Sequence, residues 1–224
     1  MSRTGFLIQA VAFDMDGLMF NTEDVYFRSG TLLLESNGHI YTRELCDSIM
    51  GCTPQQAFET MIAYCHLNMT WRELQAESEE LFISLLDKYL APLPGLMELL
   101  AFLEEHQIPR AVCTSSSRRV MENILRRFQL ESHFAFTLTA NELEHGKPHP
   151  EIYLRAAERF GISPANMLVL EDSQNGCRAG ANAEAFVVAV PGEHSRHMDF
   201  SMARMKAASL ADSCIYSLLE SPEP

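Results

Sequence analysis

The chain has 224 residues, 47% of them hydrophobic, which is enough for one large folded domain, or for one domain that carries a smaller insertion. A formal net charge of -13 argues against a protein that binds nucleic acid or anionic membranes non-specifically. The six cysteines are scattered, with no CxxC pair, so free thiols in a reducing compartment are expected. The first apolar run ends at Asp14 and is too short for a membrane-spanning helix, so we expect a soluble, cytoplasmic protein.

Apolar runs alternate with segments of helical periodicity, which is typical of an α/β protein with a parallel sheet. Five buried strands are predicted: Ile8–Asp14, Pro109–Thr114, Phe134–Thr139, Met167–Asp172 and Phe186–Val190. Four amphipathic helices are predicted around them: Gly95–His106, Arg118–Phe128, Pro150–Phe160 and Gln174–Ala183.

The stretch between the first and second predicted strands contains no strand pattern and reads as several helices. Its longest helix is predicted over Trp71–Leu90, with one face made by Leu74, Leu81, Leu85 and Tyr89. A helical insertion at this point is most simply a cap domain. We therefore predict a Rossmann-like parallel sheet core, residues 1–18 and 92–224, with an inserted all-helical cap, residues 19–91.

Polar groups collect just beyond the carboxyl ends of four predicted strand regions, where ligands bind in open parallel sheets. They lie in Asp14–Gly17, Cys113–Ser116, Gly146–Pro148 and Leu170–Ser173. The carboxylates among them need a cation to stay ionised together, and hard oxygen ligands suit Mg²⁺. Lys147 adds a positive charge, and Thr114 with the amides after it opens a helix and forms an anion cradle. These are the parts required for phosphoryl transfer onto an aspartate.

Each of these groups also has an ordinary structural explanation. Asp14 and Asp16 could be turn residues beside Gly17, Thr114 could cap a helix, and Lys147 could be a solvated loop lysine. The acidic pair Glu171-Asp172 could simply favour a helix start. All of them together, in this order along the chain, favour the chemical interpretation.

The motifs resemble those of the haloacid dehalogenase superfamily of phosphotransferases, in its β-phosphoglucomutase-like branch with a helical cap. The DxDG signature of the family stands here as Asp14-Met15-Asp16-Gly17, and its hydroxyl motif as Thr114-Ser115-Ser116. Its lysine is Lys147 in GKPHP, and its acidic pair is Glu171-Asp172. The resemblance covers nearly the whole chain.

The resemblance implies a role for each of these residues. Asp14 would be the nucleophile and a Mg²⁺ ligand, and Asp16 the general acid and base, with its backbone carbonyl on the metal. Thr114 and the Ser115 amide would hold the phosphoryl oxygens, while Lys147 would neutralise the charge of Asp14 and the phosphate. Asp172 would bind Mg²⁺ directly, and Glu171 directly or through water.

Three departures from the family pattern are visible. Asn21 stands where the family often has aspartate, at the expected hinge of the cap. Glu184 takes a position that is usually glycine, so either it adopts a left-handed conformation, at a cost of about 1 kcal/mol, or the preceding helix ends differently. The cap loop Gly51–Pro54 lacks the arginine with which phosphoglucomutases hold a second phosphate.

The predicted function is therefore hydrolysis of a small phosphomonoester, from a sugar, polyol or nucleoside, through an aspartyl-phosphate intermediate. The alternatives are a phosphosugar mutase and, in another class, a catalytically silent binding protein. The expected partner is a small phosphorylated metabolite, with no nucleic acid or membrane partner, and a monomer is favoured over an oligomer. His145 and His149 are interpreted as surface residues, and Cys113 as a core residue rather than a nucleophile.

Overall fold

The computed structural model describes residues 7–49 and 52–220. The chain divides into two compact units, one formed by Met1–Phe20 with Pro92–Pro224 and the other by Asn21–Ala91. Within the described residues, no helix combines the length and the apolar character needed to cross a bilayer.

The larger unit contains a six-stranded parallel sheet, which confirms the predicted α/β fold class. Its strands are β1 (Ala10–Phe13), β2 (Arg110–Cys113), β3 (Phe136–Leu138), β4 (Met167–Glu171), β5 (Phe186–Ala189) and β6 (Met205–Lys206). Their order across the sheet is β3-β2-β1-β4-β5-β6. The five predicted strands are all present, and each is one to three residues shorter than predicted. β6 was missed, because two residues carry no readable pattern.

Nine α-helices lie in the described residues. They are α1 (Thr22–Ser36), α2 (Arg43–Ile49), α3 (Pro54–Cys65), α4 (Trp71–Tyr89), α5 (Leu96–Glu105), α6 (Arg118–Arg127), α7 (Glu151–Phe160), α8 (Gln174–Asn182) and α9 (Ser213–Leu219). The first four belong to the smaller unit, which has no strand among its described residues.

The strands β1, β2 and β4 are buried at every position, as expected for a parallel sheet covered on both faces. Helices α7 and α8 pack on the sheet around Val169 and Val187, with Ile152 and Ala179 among the buried helical residues. This packing holds the strand ends in fixed positions relative to one another.

The helices of the smaller unit share an apolar core of Leu33, Leu34, Leu45, Met61, Cys65 and Leu74. In α4 the buried face is made by Leu74, Ser78, Phe82 and Leu86. The predicted face was right for Leu74, which is buried, and for Leu81, which is half-buried but packs against the same core. Leu85 and Tyr89 are half-buried and do not belong to the buried face. Ser78 explains the error, since a buried serine interrupts the apolar pattern from which the face was read.

The two chain segments that join the units run side by side. In the larger unit, Phe20 bridges to Pro92. In the smaller unit, the side chain of Asn21 accepts from the Ala91 amide at 2.7 Å and donates to the Tyr89 carbonyl at 3.1 Å. An aspartate could accept the first of these hydrogen bonds but could not donate the second. This difference explains why asparagine suits position 21.

Helix α8 ends with Glu184 in the left-handed conformation, the first of the two possibilities expected from the sequence. Glu184 has a φ of 62°, the left-handed conformation. The Ala185 amide donates to the Gly180 carbonyl and the Glu184 amide to the Ala181 carbonyl, which together form a Schellman motif. The helix therefore keeps the usual glycine geometry with a glutamate in the strained position.

Candidate active site

Three neighbouring strands bring the predicted site residues to one edge of the sheet. Asp14 directly follows β1, and its amide donates to the Leu170 carbonyl of β4 at 3.0 Å. Thr114 directly follows β2, and Glu171 is the last residue of β4. Since β1 lies between β2 and β4, these side chains meet at the point where the strand order changes direction, where α/β proteins bind their ligands.

Asp14, Glu171 and Asp172 form a buried cluster of carboxylates, each less than 7% exposed. One oxygen from each lies within 4.8 Å of the others. Burial raises the pKa of Asp14 well above its usual value, and the charges of Glu171 and Asp16 add to this, although Lys147 opposes it. A further cation would favour the ionised form of Asp14, and this set of hard oxygen donors fits Mg²⁺.

Lys147 reaches this cluster from the loop that precedes α7. Its ammonium group donates to Asp14 Oδ1 at 2.5 Å, to Glu171 Oε1 at 2.6 Å and to the Cys113 carbonyl at 2.9 Å. Burial alone would lower the pKa of Lys147, but the two carboxylates outweigh it and raise the pKa above its usual value. The lysine is therefore a fixed positive charge with all three donors used.

The carboxylate of Glu171 is surrounded by protein donors. Besides Lys147, Oε1 accepts from the Tyr153 hydroxyl at 2.6 Å, and Oε2 accepts from the Ser173 hydroxyl at 2.9 Å and the Ser173 amide at 3.3 Å. Burial, and then the charge of Glu171, raises the pKa of Tyr153, so its hydroxyl keeps its proton and remains a donor. In this geometry both carboxylate oxygens of Glu171 accept hydrogen bonds from protein donors, and Lys147 is one of them.

Sequence reasoning missed Tyr153 and its role beside Glu171. Tyr153 is fully buried on the inner face of α7, next to Ile152 and in line with Ala156 and Ala157. A tyrosine hydroxyl on an otherwise apolar helix face needs a buried hydrogen-bond partner. This position in the helical pattern was the feature of the sequence from which the contact could have been predicted.

Gly176, in the first turn of α8, allows Glu171 to occupy its position. A Cβ atom at Gly176 would lie 1.8 Å from Glu171 Oε1, far closer than any real contact. The Gly176 amide donates to the Ser173 hydroxyl at 3.0 Å, so the same turn also fixes the serine that binds Glu171. The requirement for glycine here is spatial, and it could not be read from the sequence.

Asp16 is held by the hydroxyl motif after β2. Its Oδ2 accepts from the Thr114 hydroxyl and from the Ser116 hydroxyl, both at 2.8 Å. Thr114 is buried, and its hydroxyl oxygen accepts from the Ser116 amide at 2.9 Å. Ser115 is exposed, and the structure places Ser116 rather than the Ser115 side chain beside Asp16.

The side chains of the remaining predicted features take no part in the hydrogen bonds described above. Cys113 is buried among core residues, and burial raises its pKa to about 12, consistent with a packing role. His145 and His149 are exposed, as interpreted from the sequence. Of the cap loop Gly51–Pro54, Gly51 lies outside the described residues, and Thr53 caps α3 through Gln56.

Comparisons with known proteins point to one family. The family model described as haloacid dehalogenase-like hydrolase matches residues 11–190. A Drosophila melanogaster protein described as "Probable pseudouridine-5'-phosphatase" is 34% identical over 206 residues, covering 89% of each chain. A phosphorylated carbohydrates phosphatase from Thermotoga maritima is 32% identical over 79% of this chain and 82% of its own.

Among solved structures, CbbY from Rhodobacter sphaeroides, determined in complex with phosphate, is similar with a TM-score of 0.83. The two chains are 25% identical, and the match covers 92% of this chain and 96% of the other. The family match includes the strands that carry Asp14, Thr114 and the Glu171-Asp172 pair. By its motifs, its sheet and the extent of these matches, the chain belongs to the haloacid dehalogenase-like hydrolases.

Proposed function

We propose that this hydrolase of phosphoric monoesters cleaves a small phosphorylated metabolite through an aspartyl-phosphate intermediate on Asp14. The observation that carries the proposal is the contact between Asp14 and Lys147, at 2.5 Å within a buried cluster of carboxylates. A lysine fixed against an aspartate orients that carboxylate and offsets negative charge as a phosphoryl group approaches.

In the first step the Asp14 carboxylate attacks phosphorus, and the bond from phosphorus to the ester oxygen breaks. Asp16, in its protonated form, gives its proton to the departing oxygen. In the second step Asp16 takes a proton from the water that attacks phosphorus, and the Asp14 carboxylate leaves. Asp16 begins from hydrogen bonds to Thr114 and Ser116, and its turn toward the substrate frees those hydroxyls for phosphoryl oxygens.

Mg²⁺ is the cofactor that this donor set fits, and it would supply charge neutralisation for the phosphoryl oxygens. Asp14, Asp172 and the backbone carbonyl of Asp16 are the proposed ligands. Glu171 is proposed to act through water, because Lys147, Tyr153 and Ser173 already donate to its oxygens. Its main task would be to hold the lysine.

We further propose that the helical unit Asn21–Ala91 is a cap that selects the substrate. The names of the relatives point to phosphorylated sugars and nucleoside 5'-phosphates, which are small and carry several hydroxyl groups. We take the protein to be a cytoplasmic monomer without a nucleic acid or membrane partner.

The test is phosphate release from a panel of sugar, polyol and nucleoside monophosphates in the presence of Mg²⁺. The Asp14→Asn variant should lose on the order of 10⁴ or more in kcat, because a neutral amide cannot attack phosphorus. Asp199→Asn, at an exposed position of the same unit, is the matched control. Near-normal turnover by Asp14→Asn would rule out the mechanism.

A second experiment separates hydrolysis from mutase activity. Segment Cys52–Pro54 has no basic residue. The cations of the cap region are Arg28, Arg43, Arg72 and Lys88, and all but Arg43 lie against an aromatic ring of the helical unit. Without a cation to hold a second phosphate, a bisphosphate intermediate would be costly to bury. Phosphorus NMR of β-glucose 1-phosphate with a trace of the bisphosphate should show inorganic phosphate, whereas accumulation of glucose 6-phosphate would establish a mutase.

A further inference from the structure

The loop that carries Lys147 brings together three potential metal ligands outside the carboxylate cluster. His145 and His149 lie two residues before and after the lysine, and Glu151 begins α7. Donor atoms from these three side chains lie within 4.8 Å of one another. They also line an open cavity of about 410 Å³, together with Arg155, which leaves room for water ligands.

The two imidazole rings lie nearly parallel, with their centroids 4.4 Å apart. Neutral imidazole is the form of histidine that binds metals. The side chain of His145 is 60% exposed and can rotate to direct a nitrogen toward the shared space.

The carboxylate of Glu151 is held in place by groups that would not bind the metal. It accepts from the amides of Glu144 at 3.1 Å and His145 at 2.8 Å, and from Arg155 at 2.6 Å. These contacts orient the carboxylate in the way that outer groups orient a metal ligand. One of its oxygens is already 3.3 Å from Nδ1 of His145, so a bound ion would replace a weak contact.

We propose that His145, His149 and Glu151 bind one transition-metal ion of borderline softness, such as Ni²⁺ or Zn²⁺, at a site separate from the proposed magnesium site. Two imidazole nitrogens and one carboxylate oxygen suit such an ion, whereas Mg²⁺ prefers oxygen ligands alone. Because both histidines flank Lys147, an ion bound here joins the two sides of the lysine's loop.

The experiment is calorimetric titration of Ni²⁺ into the tag-free full-length chain in the presence of excess Mg²⁺. Ni²⁺ is chosen because imidazole suits it, while the free thiols of this chain prefer softer ions. One ion per chain should bind. His145→Asn and His149→Asn should each weaken binding at least about 10-fold, because loss of a residue that only hydrogen-bonds to a metal ligand already has an effect of that size. His197→Asn, an exposed histidine elsewhere in the same unit, should leave binding unchanged.

A second readout is the visible absorption of Co²⁺ added in place of Ni²⁺, which changes with the ligands and geometry around the ion and does not depend on enzyme turnover. A spectrum that disappears in both histidine variants supports the site. Binding of Ni²⁺ that is equal in the wild type and both variants, or that is abolished by excess Mg²⁺, would overturn the proposal. Neither readout depends on phosphatase activity, so failure here leaves the proposed function untouched.

Discussion

The hydroxyl group of Tyr153 donates a 2.6 Å hydrogen bond to Oε1 of Glu171, the same oxygen that accepts from Lys147 at 2.6 Å. The tyrosine therefore occupies the side of the oxygen that the lysine leaves open. Glu171 is fully buried, so water cannot replace a missing donor there.

Tyr153→Phe should lower kcat by about 10-fold, because a hydrogen bond to a charged group contributes about 1.5–3 kcal/mol and part of this restrains Lys147. KM should change little, since Tyr153 lies behind Glu171 rather than among the proposed phosphate-binding groups. Steady-state phosphate release gives both constants. Tyr216→Phe, which removes a hydroxyl from the same unit at a distance from the site, should behave as the wild type. Equal kcat values for the two variants would show that Tyr153 only packs.

Gly176→Ala should lower kcat strongly, by an amount that loss of stability alone does not explain. The added methyl group would overlap Glu171 Oε1, so the carboxylate that holds Lys147 must move. We expect kcat to fall on the order of 100-fold, as for other displaced catalytic groups. The control is Gly180→Ala, one turn along α8, whose Cβ would lie 2.7 Å from a methyl group of Val187. That variant should lower the unfolding temperature yet keep most of kcat, which separates general damage from displacement of Glu171.

Removal of divalent cations with EDTA should abolish phosphate release, and Mg²⁺ should restore it. The reason is the buried group of Asp14, Glu171 and Asp172, whose negative charges need a hard cation. Ca²⁺ should inhibit, because its larger and looser coordination does not hold the in-line geometry. Full activity in excess chelator would contradict the metal assignment.

Cys113 should resist alkylation in the folded protein. Burial raises the pKa of its thiol to about 12, so it stays protonated near neutral pH and through moderately alkaline conditions. Cys52 is exposed and should react under the same conditions. Mass spectrometry of peptides after iodoacetamide treatment measures both. Rapid labelling of Cys113 with loss of activity would contradict its interpretation as a core residue.

Glu184→Gly should stabilise the protein by about 1 kcal/mol, since the left-handed conformation costs a side chain roughly that amount. Glu184 is exposed and has a φ of 62°, so the change removes strain without opening a cavity. Gly161→Ala is the converse control, because Gly161 ends α7 with a φ of 70° and has open space around its Cβ position. Urea unfolding should show a gain in the free energy of unfolding for Glu184→Gly and a loss of similar size for Gly161→Ala. A destabilised Glu184→Gly variant would contradict the assignment of strain.

Much of the fold followed from local patterns. The buried strands β1, β2 and β4 are continuous apolar runs, and the polar residues that end them mark where the sheet stops. Since parallel strands present their carboxyl ends at one edge, the meeting of Asp14, Thr114 and Glu171 could be expected from the sequence. The left-handed conformation of Glu184 was likewise one of the two that the sequence allowed.

The sequence by itself determined the fold class, the order of the motifs and the chemical types present at the site, because these depend on residue identity and periodicity. Only the tertiary structure decided which donor meets which acceptor. Tyr153 on α7 and Lys147 on the loop before it lie 18 and 24 residues from Glu171 along the chain, yet both donate to its Oε1. Gly176 on α8 leaves the space that the same oxygen occupies. Such contacts require separate elements to pack against one another with a precision of about a few tenths of an ångström. A local pattern of residues along the chain does not contain that information.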